Sequence, residues 1–103
     1  METVDSMSLE LKAENFLIIP KYIFTSTALT PEAKLIYAEL LYSAKEGLVT
    51  TITDQEIAEC LTLPMMQVSS AIRSLEKKGY IRIKITETFF HNIREIFVLV
   101  EGV

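Results

Sequence analysis

One histidine, one cysteine and three scattered glycines are all that this 103-residue sequence offers to covalent, metal or phosphate-cradling chemistry. His91 has no second imidazole, and the lone Cys60 lies far from it in the chain, so no metal site of ordinary ligand spacing can be assembled. A Ser-His-Asp triad would have to rest on His91 at a hairpin tip. The glycines stand at 47, 79 and 102, which leaves no Gly-rich loop for a nucleotide phosphate. No catalytic residue, metal or cofactor is therefore expected, and the sequence reads as a binding protein and not an enzyme. Cys60, at helical spacing from Ile57, reads as a small buried apolar residue. It cannot form an internal disulfide, and residues 1–15 are acidic and polar where a signal peptide would be basic, so a cytoplasmic location is expected. Apolar runs such as Phe16 to Ile19 are too short to span a bilayer.

The remaining chemistry is polar, basic and unevenly placed. The chain carries a net charge of −4, yet the stretch from Arg73 to Arg94 holds six bases against two acids. A positive segment on an acidic body suits phosphate, and it is also what a solvated surface looks like. Residues 65–78 read as a helix whose 100° rotation per residue groups Val68, Ile72 and Leu75, with Ala71 beside them, on a core face. The opposite face carries Met66, Ser70, Arg73 and Lys77, flanked by Gln67 and Ser74. In a DNA major groove, Gln67 can pair with adenine, Arg73 with guanine and Ser70 with either, while Met66 can touch a thymine methyl; each good bidentate pair gives ~1–3 kcal/mol of discrimination. Lys77, Lys78, Arg82 and Lys84 would hold phosphates, and Arg94 with His91 or Asn92 would touch backbone or minor groove. The alternative is that this set is only the wet side of an amphipathic helix. Phe89 and Phe90 either fold back on the core or form a dimer or partner contact, and Met65-Met66 poses the same choice between core filler and adaptable surface.

These residues must be positioned by the elements around them. Phe16 to Phe24, broken by Pro20, reads as a segment packed on the core. Thr30, Pro31 and Glu32 form a helix start, and Ala33, Ile36, Tyr37, Leu40 and Leu41 continue it at helical spacing to about Lys45, with Gly47 as the stop. Residues 49–52 suit a small strand. Thr53 and Glu56 make a capping box for a short helix carrying Ile57, Ala58, Cys60 and Leu61, which Pro64 ends. After the 65–78 helix, Gly79 supplies a left-handed cap, and residues 80–87 and 93–100 read as strands joined by a hairpin at 88–92.

Two short helices joined by a tight turn, then a hairpin, give the order of a winged helix-turn-helix. The run Ile57-Ala58-Glu59-Cys60-Leu61, then Val68 and Ile72-Arg73-Ser74-Leu75-Glu76-Lys77-Lys78-Gly79-Tyr80-Ile81, resembles MarR-like and many other bacterial winged-helix proteins. Upstream, Ile19-Pro20-Lys21-Tyr22-Ile23-Phe24 and Leu29-Thr30-Pro31-Glu32-Ala33-Lys34-Leu35-Ile36-Tyr37-Ala38-Glu39-Leu40-Leu41 resemble the N-terminal domain of RepA-type plasmid replication initiators and of phage or DnaD-like replisome organisers. The sequence departs from these families at the turn, with Thr62 where glycine is common and Pro64 where a capping Ser or Thr is common. The resemblance implies a domain that binds DNA or self-associates.

The expected architecture is α+β, mainly α: a three-helix core with a small β-hairpin wing over residues 16–103, preceded by an N-terminal extension at 1–15. The expected function is double-stranded DNA binding in replication initiation or transcriptional regulation on a plasmid, phage or bacterial chromosome, as a homodimer. The competing reading is a protein-interaction winged helix that dimerises or binds a replication or regulatory protein without touching DNA. No membrane partner is expected.

Overall fold

Thr30, Thr53 and Gly79 punctuate the chain as their chemistry dictates. The computed structural model describes residues 16–101, so the extension at 1–15 lies outside the described residues. The elements run α1 (Lys21–Phe24), α2 (Pro31–Ser43), β1 (Val49–Thr50), α3 (Asp54–Leu61), α4 (Met65–Lys77), β2 (Ile81–Glu87) and β3 (Asn92–Val98). The Thr30 hydroxyl accepts from the Ala33 N–H at 3.1 Å, and Pro31 fills the first helical position, where no N–H is needed. Thr53 Oγ1 accepts from the Glu56 N–H at 3.1 Å while Glu56 Oε1 accepts from the Thr53 N–H at 2.9 Å, closing the capping box. At the end of α4, Gly79 adopts φ +85°, and the Tyr80 N–H reaches back to the Leu75 carbonyl at 2.9 Å in a Schellman closure.

Two boundaries and the burial of one residue differ most from the sequence expectation, each for a local reason. α2 stops at Ser43 because Ala44 turns extended, and Gly47 (φ +82°) shapes the tight turn between Lys45 and Val49 instead of capping the helix. β1 spans two residues and not four, since the Ile52 N–H is taken by the Thr50 hydroxyl and its carbonyl by Arg94, which removes both from a ladder. Cys60 is exposed, because α3 buries only Ile57 fully, with Ala58 and Leu61 partly covered.

The turn between α3 and α4 is where the chain departs most from ideal chemistry. Thr62 takes the left-handed conformation (φ 55°), and the Leu63 N–H closes on the Ala58 carbonyl at 3.0 Å. A β-branched residue is strained there, where glycine is not. Thr62→Gly is expected to raise stability by about 0.5–1 kcal/mol, the released strain exceeding the extra chain entropy of glycine, as read by urea denaturation.

The core lies between α2, α3, α4 and the root of the sheet, with Ile36, Tyr37, Leu40, Ile57, Val68, Leu75 and Ile96 fully enclosed. α2 is covered on more than its predicted stripe, so Ala38 and Glu39 are buried too, and burial pushes the Glu39 carboxyl pKa up. In the N-terminal segment Ile23 is buried and Ile19 and Tyr22 lean on the core, whereas Phe16, Leu17, Ile18 and Phe24 are exposed. The Tyr22 and Tyr37 hydroxyls bond each other at 2.9 Å, Tyr37 donates to the Leu99 carbonyl at 2.8 Å, and the Glu101 N–H donates to Tyr22 at 2.9 Å. That cluster ties the segment after β3 to α1 and α2.

The antiparallel sheet has the order β1-β3-β2, with Ile81 opposite Val98 and Ile83 opposite Ile96 on its core face. The alternating face is buried only at this root: Ile85 is 60% exposed, and the hairpin beyond it stands clear of the body. Because β1 pairs only with Ile96 and Phe97, the outer half of the hairpin is a two-stranded ribbon. Three helices with a tight turn between the last two, followed by a projecting hairpin, constitute the expected winged helix-turn-helix.

Candidate nucleic-acid interface

α4 turns Val68, Ala71, Ile72 and Leu75 into the core, which fixes what the rest of the helix presents. Met66, Gln67, Ser70, Arg73 and Lys77 are exposed, Met66 to 82%, while Ser74 is half-buried. Met66, Gln67, Ser70 and Ser74 line one wall of a shallow groove of about 460 Å³ whose other wall is Thr30, Glu32 and Ala33 at the start of α2. Arg73 faces a different neighbour: its charge acts on Asp54, at the first turn of α3. The α4 surface is thus a strip bounded by α2 on one side and by α3 on the other.

Asp54 joins three elements. Its Oδ2 accepts from the Ser69 hydroxyl of α4 at 2.7 Å, and its Oδ1 accepts from Arg94 Nη1 of β3 at 2.7 Å. The second Arg94 nitrogen, Nη2, donates to the Ile52 carbonyl at 2.8 Å. Burial pushes the Asp54 carboxyl pKa up, but the hydrogen bonds from Ser69 and Arg94 and the charges of Arg94 and Arg73 outweigh it, so the net shift is downward. This engagement corrects the expected role of Arg94. Its guanidinium is turned inward as a brace between the wing root and α3 and is not free for a DNA backbone or minor groove.

A depressed carboxyl pKa stabilises the fold above the ordinary carboxylate range, and that contribution is lost as the pH falls through the folded-state value. Asp54→Asn is accordingly expected to cost about 1.5–3 kcal/mol at pH 7. The difference from wild type should shrink below about pH 4, where the wild-type carboxyl begins to take up its proton. Chemical denaturation at the two pH values checks this.

The other sequence-predicted residues divide in the same way between free and engaged. Lys78 donates to the Ala28 carbonyl and Lys77 has no such bond, though both are exposed. Arg82 lies over the Phe97 ring at 5.0 Å from its centroid, on the solvent face of the sheet, where Lys84 stands opposite Glu95. The Arg82 stack fixes the stem of that side chain. At the tip, the Thr88 N–H donates to the His91 carbonyl at 2.9 Å and the His91 N–H to the Thr88 hydroxyl at 3.0 Å, so Phe89 and Phe90 alone form the loop. They do not fold back on the core: Phe89 is 94% and Phe90 87% exposed, with His91 and Asn92 exposed beside them. Sequence reasoning passed over Asp54 and Ser69; the signal available for Asp54 was its place in the capped first turn of α3, which explains it by helix chemistry alone.

No protein-family model and no curated protein matches the chain. Solved structures do. A structure of the N-terminal domain of a DNA-binding protein matches with a TM-score of 0.67 at 20% identity, over 95% of this chain and 82% of that one. A structure of a Rep–DNA complex matches with a TM-score of 0.63 at 18% identity, over 95% and 82%. A structure of an MDR initiator matches with a TM-score of 0.64 at 16% identity, over 95% and 84%. At these identities the likeness is one of fold. Among the described residues no helix is long and apolar enough to cross a membrane.

Proposed function

We propose that the chain is a double-stranded DNA-binding domain of a replication initiator, non-catalytic, with α4 in the major groove and the wing against the backbone. The observation that carries this reading is the exposed strip of α4, where Gln67, Ser70, Arg73 and Lys77 stand opposite a fully packed core face and beside a projecting hairpin. Hydrogen-bonding side chains on an exposed helix that follows a tight turn are what base-edge readout requires. The fold shared with a solved Rep–DNA complex and an initiator supports replication over transcriptional control. A homodimer suits the reading, because one short helix covers only a half-site. The apolar run Phe16, Leu17 and Ile18, 40–55% exposed, offers surface for a second copy.

The test is a fluorescence-anisotropy titration against random and AT-rich duplexes over a salt series. With Lys78 bonded to the Ala28 carbonyl and Arg94 to Asp54, three of the cations predicted for phosphate remain unengaged: Lys77, Arg82 and Lys84. The expected slope of log affinity against log salt is therefore roughly −2.7, at about −0.9 per phosphate neutralised. Absence of binding at low salt would overturn the proposal and favour a protein-interaction role through Met66 or the hairpin tip.

A further inference from the structure

The hairpin tip places its most hydrophobic residues where turn chemistry least favours them. Two-residue hairpin loops prefer Asn-Gly or Gly-containing pairs, whose positive φ angles match the twist of the strands. Here the two central positions are Phe89 and Phe90, and neither has a positive φ. The pair gains nothing from the core, being almost fully exposed, and its rings touch only each other, edge to face, with centroids 5.1 Å apart and planes at 75°. Neither local propensity nor burial accounts for two phenylalanines at this point.

The shape of the tip narrows what could cover it. A phenylalanine buries roughly 150–250 Å² at most, so the pair offers well under the ~800 Å² per partner of a stable protein interface. A second copy of the chain could not be held by the tip alone. The distal hairpin is also narrow, two strands about 4.8 Å apart, and extends roughly 20 Å from Ile83 to the tip at 3.3 Å per residue. Arg82 stands on the solvent face at its root and Lys84 beyond, opposite Glu95, Glu87 ends β2 before the tip, and the tip from Phe89 to Asn92 holds no Lys or Arg. A ribbon two strands wide that ends in bare aromatic rings suits a narrow groove with an apolar interior.

Taking the chain as a DNA-binding domain, we infer that the wing is a wedge: one ring of the Phe89-Phe90 pair inserts between adjacent base pairs from the minor groove and unwinds the duplex there. Apolar side chains that enter base steps in this way unstack them and kink the helix. Because the rings are nearly perpendicular, only one can lie parallel to the bases. The other is then edge-on and braces the first against the groove wall. The steps that open most easily, TA and CA/TG, are the favoured sites, so the wing adds sequence preference without hydrogen bonds to bases.

The inference is tested by closing relaxed circular plasmid DNA with a topoisomerase in the presence of saturating full-length chain, then measuring linking number after protein removal. Unwinding by the wild-type chain is expected to leave negatively supercoiled circles. F89A/F90A, which removes only exposed groups and should melt as wild type does, is expected to bind about tenfold or more weakly with an unchanged salt slope, because no phosphate contact is lost. At saturation it should leave the circles relaxed, and F89L/F90L should restore much of the shift. A wild-type chain that saturates the plasmid without changing linking number overturns the wedge and leaves DNA binding standing. So does an alanine variant that shifts linking number as wild type does, or one that changes only the sedimentation of the free protein, which would make the tip a contact between copies. If the wild-type chain does not bind the plasmid at low salt, the DNA-binding reading itself fails.

Discussion

Leu75→Ala is expected to cost about 2–5 kcal/mol of folding free energy, while Ser70→Ala, five residues earlier on the same helix, should change it by less than about 0.5 kcal/mol. Leu75 is completely enclosed, in the part of the core where α4 meets α2 and the start of β2. Its removal leaves a cavity whose walls belong to several elements and cannot all close in. Ser70 is exposed on the groove side and makes no bond on which the helix depends. For a domain of this size the leucine change should lower Tm by roughly 10 °C or more, read by thermal denaturation. Equal losses from the two changes would mean that α4 is rotated from the orientation described here.

The second large effect is expected in solution with DNA. Arg73→Glu combined with Lys77→Glu should weaken duplex binding by about 100-fold or more at moderate salt, and should bring the salt slope to about two thirds of its wild-type value or less, as one of three phosphate contacts vanishes and a base contact is lost with it. Repulsion from the new carboxylates adds to the loss. The single change Lys77→Gln provides the finer reading: a slope shallower by about 0.9 and a similar loss on every duplex, because a phosphate contact carries no sequence information. Arg73→Gln should in addition flatten discrimination between duplexes, the result that the proposed guanine contact requires. As Arg73 also acts on Asp54, its variants need a melting curve beside the titration. An unchanged slope in the double variant would show that this face of α4 does not meet phosphate.

Much of the fold was legible because the features that specify it are local. The cap at Thr30, the capping box at Thr53, the glycine at 79 and the spacing of Val68, Ile72 and Leu75 each act within one or two turns of chain. The site was legible only in its exposed half. Nothing near Arg94 in sequence marks it as engaged, because its partner Asp54 is 40 positions away, and the carbonyl that holds Lys78 is 50 positions away. Both cations therefore read as unengaged. Cys60 failed for a related reason: its helical spacing from Ile57 fitted a buried stripe, but α3 is covered too narrowly for the stripe to reach it. Glu39 erred in the opposite direction, since a carboxylate on a helix reads as solvated until the packing around α2 is known.

The Arg94–Asp54 brace sits at the foot of a long arm. A rotation of about 5° at that foot would carry a tip roughly 13 Å away through about 1 Å, at the rise of an extended strand. Over so short a travel a ring would pass from alignment with a base step to collision with its edge. The carboxylate of Asp54, which touches no nucleic acid itself, thus acts as the fulcrum that aims the far end of the ribbon. Because the same group is bonded to Ser69, that aim is set relative to α4, and substitutions at this inner junction should scatter the tip before they unfold the domain.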